Sequence, residues 1–171
     1  MRSTLLKFCS RLIAAVLVAS AVFSARLGSA DQLTSFSFVF PLLSPRLSSN
    51  YGVRKHPIYR SFKHHNGVDL AAPKNSHVRA VAPGRVVFAD RLAGYGKLVS
   101  VQHLGGYTSF YGHLNDIQVE LGQPVRAGEL IGLVGSTGTA TGYHLHFEWR
   151  KNGVPLNPLK AFPELTAEAK G

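Results

Sequence analysis

The stretch GYHLHFEWR, Gly142 to Arg150, decides how the fold is read. Apolar and polar residues alternate along it with the two-residue period of a β-strand. Successive strand side chains point to opposite faces, so His144 and His146 share one face while Leu145 and Phe147 share the other. Four more runs are rich in Val, Ile, Phe and Tyr and mostly bounded by glycine: GRVVFAD (84–90), KLVSVQH (97–103), GYTSFYGH (106–113) and ELIGLVG (129–135). Between residue 30 and the last fifteen residues no segment has a convincing helical period. LKAFPELTAEAK predicts one short helix, interrupted by Pro163. The expected fold class is therefore mostly β: a single compact antiparallel β-sheet domain with loops between closely spaced strands.

The chain has 171 residues, the length of one domain. Its start reads as a signal peptide. Arg2, Lys7 and Arg11 precede LIAAVLVASAVFSA, an apolar run shorter than the roughly 20 residues of a membrane-spanning helix. Gly28-Ser29-Ala30 supplies the small residues of a cleavage site, which places cleavage before Asp31; Phe23-Ser24-Ala25 is an earlier, poorer site. Cys9 is the sole cysteine and leaves with the signal, so disulfides, cysteine nucleophiles and zinc–thiolate sites are excluded from the remainder. Four basic residues and no acid lie in residues 1–30, so the formal charge falls from +10 to +6 on cleavage. A basic exported protein suits an anionic partner such as cell-wall polymer. No dense basic run or basic helix points to nucleic acid, and no stable membrane insertion is expected after cleavage. Export is expected, with the periplasm favoured over secretion, and the protein is expected to be a monomer.

Two imidazoles on one strand face, in a chain without usable thiols, point to a metal. A catalytic zinc needs about three protein ligands and one open position, so the pair must be joined by others. HHNGVD (64–69) holds His65 and Asp69 four apart, an even spacing that an extended segment presents on one face. Gly67 between them disfavours a helix and lets the chain bend around an ion. SFYGHLND places His113 near the end of a strand. His65, Asp69, His113, His144 and His146 are the resulting candidates. Taken singly, His56, His64, His77 and His103 read as hydrogen-bonded surface or core histidines. Glu148 shares parity with His146 and reads either as its hydrogen-bond acceptor or as a surface carboxylate.

HHNGVDLAAP, YGHL and STGTATGYHLHFE together resemble the M23 family, the LytM/lysostaphin-type zinc metallopeptidases that act as peptidoglycan endopeptidases. The resemblance runs from about Ser48 to Pro158 and includes SSNYGVRKHPI, VRAVAPGRVVFAD, GYGKLVSVQH and VRAGELIGLVGSTG. It implies the LytM, or duplicated-hybrid-motif, type of fold, with long loops forming a groove over a zinc site. It implies one Zn2+ per chain held by His65, Asp69 and His146, with His113 and His144 as catalytic histidines and peptidoglycan as substrate. Asn50 and Arg54 match the start of the family pattern and are candidates to line the cleft, as is Tyr111, which faces either cleft or core. The chain divides accordingly into a signal peptide (1–30), a short lead-in (31–47), the peptidase domain (48–160) and a tail (161–171). Asn75-Ser76-His77 and Tyr143 depart from the common pattern, and neither departure falls on a metal position.

Two other classes compete. Relatives that have lost ligands act as inactive wall-binding regulators of amidases, but all five positions are present here. VRAGELIGLVG resembles a biotinyl- or lipoyl-like module, but no carrier lysine sits at a hairpin tip and the histidines would go unexplained.

Overall fold

The computed structural model describes residues 38–55 and 61–163. The expected signal peptide, the expected lead-in before residue 38 and the expected tail beyond residue 163 lie outside the described residues. Thirteen strands follow in order: β1 (Arg46–Ser49), β2 (Gly52–Lys55), β3 (Phe62–His65), β4 (Val68–Ala71), β5 (His77–Arg79), β6 (Gly84–Leu92), β7 (Gly96–Gln102), β8 (Tyr107–Leu114), β9 (Asp116–Ile117), β10 (Pro124–Val125), β11 (Leu130–Leu133), β12 (His144–Lys151) and β13 (Val154–Leu156). A single turn of helix, α1 (Pro158–Ala161), is capped by the Asn157 side chain, which accepts from Leu159 N. No helix among the described residues is long and apolar enough to cross a membrane.

The strands form three antiparallel sheets. The largest has eight strands in the order β1-β4-β12-β8-β7-β6-β10, with β13 also on β12. A second orders β5-β11-β9, and β2 with β3 makes a two-stranded hairpin. The five runs picked out from sequence all contain strands, β6, β7, β8, β11 and β12. Apart from β11, four residues long and marked by its glycine-flanked apolar run, the strands of two to four residues (β1 to β5, β9, β10 and β13) lack enough residues for a period to show.

β12 is central, and its register carries the design. Phe147 lies opposite Val68 on β4 and Tyr111 on β8, while His146 lies opposite Asp69 and Gly112. Directly opposed residues share a face. Leu145, Phe147, Val68, Leu70 and Tyr111 therefore build the core, each fully buried. The same alternation sends Asp69, His146 and Glu148 to the opposite face. Gly67 must be glycine for β4 to lie this close: a Cβ there would sit 2.2 Å from the Phe147 carbonyl oxygen.

Residues 38–47, read from sequence as a lead-in, are woven into this core. Val39 N donates to Val81 O, Arg79 N donates to Pro41 O, and Leu42 is buried. Phe38 stacks on Phe162, which in turn meets Trp149 edge-on, so part of the expected tail is packed as well. Most of these contacts join residues about 40 or more positions apart, and Phe38 and Phe162 are over a hundred apart, so no local pattern announces them.

Tyr111 corrects one of its two placements. It is in the core, not the cleft, with its hydroxyl accepting from Val81 N at 2.9 Å. Its register partner Phe147 fixes that face.

Candidate metal centre and active site

His65 closes β3, and Asp69 lies in β4, in a different sheet. In a straight strand, residues four apart would be separated by roughly 13 Å. Here the chain bends at Asn66-Gly67, and His65 Nε2 comes to 3.1 Å from Asp69 Oδ1. The bend, not the even spacing, brings the two together. His146, opposite Asp69 in the β4–β12 register, places Nδ1 2.9 Å from the same oxygen and 3.0 Å from His65 Nε2. Three donor atoms thus converge, all from buried residues.

The protons around them can be assigned from the partners. His65 Nδ1 faces the Asn50 carbonyl at 2.8 Å, so it carries the hydrogen and leaves a lone pair on Nε2. His146 Nε2 faces Glu148 Oε1 at 2.9 Å, which likewise leaves Nδ1 as the donor atom. Two imidazole lone pairs and a carboxylate oxygen then point at one another, which is repulsive unless a cation lies between them. A proton on His146 Nδ1 is the alternative to such a cation: burial opposes charge on the ring, yet hydrogen bonds to Asp69 and Glu148 prevail and push its pKa up to about 9. Burial likewise would raise Asp69, but the hydrogen bonds from His146 and His65 hold it well below the usual carboxylate range. Both shifts express one demand, positive charge at the point of convergence. Tetrahedral zinc with bonds of about 2.1 Å has ligand–ligand edges of roughly 3.4 Å, a few tenths longer than the separations here. The donor set fits zinc.

The surrounding groups hold these donors in place. Arg54 Nη2 donates to Asp69 Oδ2 at 3.2 Å, leaving Oδ1 for the centre. Glu148 is fully buried, which rules out the surface-carboxylate reading. Besides His146 it accepts from Tyr95 Oη at 2.7 Å and from Arg150 Nε at 2.7 Å. Burial would raise the Glu148 pKa, but the His146 hydrogen bond and charge, with Tyr95 and Arg150, lower it. Arg150 lies over the Phe110 ring at 4.2 Å. Carboxylate–imidazole supports of this kind fix tautomer and ring orientation at metal sites.

His113 and His144 face the same space. Their rings are 4.8 Å apart. His113 Nδ1 donates to Thr137 O at 2.8 Å and His144 Nδ1 to Gly142 O at 2.9 Å, which leaves each Nε2 to the cleft. His144 Nε2 is 3.7 Å from Asp69 Oδ1. Burial, then the neighbouring His144 and His146, push the His113 pKa down to about 4. His113 reaches this face only through its backbone. Strict alternation would send it into the core with Tyr111, but the β7–β8 register shifts here and His113 has φ 62°, left-handed for a non-glycine residue. Its amide is held by Tyr95 O at 2.7 Å. Such an outlier costs on the order of 1–3 kcal/mol and persists where the surroundings over-determine it.

The five candidate residues therefore come together at the floor of a cleft of about 310 Å3. Arg54 lines it, whereas Asn50 reaches the centre through its carbonyl and Tyr111 is excluded. Sequence reasoning missed Tyr95, Thr137 and Arg150. Only Arg150 had a readable signal, sharing parity with His146 and Glu148. Of the remaining histidines, His103 is buried between Pro83 O and Ser109 Oγ, at 2.8 Å from each, and burial lowers its pKa.

A mostly antiparallel β fold with a buried His-Asp-His centre and two more histidines facing it defines a metallopeptidase type of site. The chain belongs to Peptidase family M23, whose pattern matches residues 63–158. The DD-carboxypeptidase/endopeptidase Mpg of Neisseria meningitidis is 46% identical over 133 residues, covering 76% of this chain and 31% of the relative. The peptidoglycan DD-endopeptidase ShyA of Vibrio cholerae is 41% identical over 117 residues, covering 68% of this chain and 27% of the relative. The chain thus spans about a third of the length of these relatives. Among solved structures, a zinc-containing peptidase from Vibrio cholerae superposes with a TM-score of 0.66 at 34% identity, over 71% of this chain and 39% of the other.

Proposed function

We propose that this chain is a zinc-dependent endopeptidase that hydrolyses peptide bonds in peptidoglycan stem or cross-link peptides. The carrying observation is the convergence of His65 Nε2, Asp69 Oδ1 and His146 Nδ1, each pinned from behind by an acceptor or a cation. These three would hold one zinc ion per chain. When bound, zinc supplies Lewis-acid polarisation of the scissile carbonyl and acidifies water. His113, neutral at pH 7 with Nε2 directed into the cleft, takes up the proton of the attacking water at that atom. His144, anchored through Nδ1 on Gly142 O, directs Nε2 to the side where the oxyanion develops, and a hydrogen on that nitrogen, taken from solvent before the attack, donates to it. The activities that Mpg and ShyA are named for support the reading. The five intact positions favour an enzyme over an inactive regulator of amidases. Export completes the proposal, on the signal-like start of the sequence, with the periplasm favoured over secretion.

His146→Ala and His113→Ala test it. Removing His146 takes away a ligand, so zinc and activity are both lost; removing His113 keeps zinc and loses activity. Zinc content and mass spectrometry of digested peptidoglycan, with and without chelator, read both. Zinc retained by His146→Ala and lost from His113→Ala would sink the assignment.

A further inference from the structure

The turn between β6 and β7 touches the centre at two places. Tyr95 stands in it between two glycines with left-handed backbones, Gly94 at φ 82° and Gly96 at φ 69°. Its ring lies over Gly112, where a Cβ would sit 3.3 Å from Tyr95 Cδ1 and 3.4 Å from His146 Cβ. The phenol donates to Glu148 Oε1 at 2.7 Å, the oxygen that also faces His146 Nε2, and accepts from Arg150 Nη2 at 3.1 Å. Burial, then the Glu148 charge, push the phenol pKa up to about 12, so it keeps its proton as a donor at neutral pH. The main chain of the same residue serves the other histidine: its carbonyl accepts the His113 amide at 2.7 Å. Residues beside it hold the loop that anchors the His113 ring. Gly94 O accepts from Thr139 N, and Lys97 N donates to Thr137 Oγ1, while Thr137 O accepts from His113 Nδ1. A Cβ at Gly96 would lie 2.3 Å from Thr137 Oγ1, so glycine is what lets the two loops meet.

We propose that Tyr95 is a positioning residue shared by both halves of the centre: its phenol holds Glu148, and through it the metal ligand His146, while its carbonyl holds the backbone of His113. The left-handed φ of 62° at His113 is a strained state that needs support from its surroundings. The phenol supplies that support indirectly, by tying the turn to β12 through Glu148. Zinc binding and the placement of the proton acceptor are thereby linked through one contiguous set of hydrogen bonds, from His146 to Glu148 to Tyr95 to His113. The half at His113 rests on the endopeptidase reading and deepens it; the half at His146 needs only a metal.

Tyr95→Phe tests this, because it removes the hydroxyl and keeps the ring and the carbonyl. Glu148 retains His146 and Arg150 as partners, so no charge is left unpaired and the fold is kept, which circular dichroism checks. Competition with a chelator should show zinc bound about tenfold more weakly, the low end of what loss of a metal-ligand support produces. Hydrogen exchange of the zinc-saturated variant should show the His113 amide exchanging about tenfold faster, with the Val99 and Val101 amides of the core unchanged. At saturating zinc, kcat for peptidoglycan stem peptides should fall about tenfold with KM within about twofold, because the hydroxyl is engaged by Glu148 and not by substrate. Unaltered zinc affinity or unaltered His113 exchange in the folded variant overturns the shared role, as does a loss confined to KM. If the unaltered protein cuts no peptide, the endopeptidase reading falls, and zinc affinity and His113 exchange still decide the proposal.

Discussion

Replacing Glu148 by glutamine should weaken zinc binding without unfolding the protein. The carboxylate accepts from His146 Nε2 at 2.9 Å and so holds Nδ1 toward Asp69 and His65. Glutamine keeps the shape and one oxygen but loses the charge, and its amide hydrogens cannot serve Arg150, which donates to Glu148 Oε2. A hydrogen bond to a charged group contributes about 1.5–3 kcal/mol and a neutral one about 0.5–1.5 kcal/mol. The loss is then about 1–2 kcal/mol, or about 5- to 30-fold in zinc affinity. That overlaps the roughly 10- to 100-fold range seen when supports of metal ligands are removed. Arg150 is half-buried over Phe110 and can turn toward water, so the metal-free fold should survive. Competition with a chromogenic chelator measures the dissociation constant, and denaturation of the metal-free protein is measured in parallel. A dissociation constant within twofold of the unaltered protein, with the fold intact, would refute the argument that Glu148 sets the His146 tautomer.

Two further predictions concern the core. Tyr111→Phe removes the acceptor of Val81 N deep in the interior. An unpaired buried N–H should cost about 1–3 kcal/mol, read as a lower urea midpoint, with zinc content unchanged. His103 makes stability fall in acid. Burial lowers its pKa in the folded protein, whereas the unfolded chain takes its proton near the ordinary histidine value of about 6.5. Its contribution is therefore complete above about pH 6.5 and is lost as the pH falls through that value toward the folded pKa. His103→Gln should flatten the pH dependence of stability between about pH 7 and 5; an unchanged slope would count against a neutral buried His103.

The residue types of the centre, and the pairing of His144 with His146, followed from the sequence alone. Both are local properties: a strand's period is two, and imidazoles without usable thiols leave few chemistries. The four long strands, β6, β7, β8 and β12, were legible for the same reason. What only the tertiary structure decided depends on where backbones cross or bend. The turn at Asn66-Gly67, allowed because glycine meets the Phe147 carbonyl without a Cβ, joins His65 to Asp69. The left-handed backbone at His113 turns that ring to the cleft, while Tyr111 two residues earlier stays in the core. Glu148 looked equally suited to solvent until β12 was buried on both faces. The packing of Phe38 and Leu42, and the approach of Tyr95 to Glu148, join residues far apart in the chain. Such contacts arise from the register of neighbouring strands, which no single strand's composition specifies.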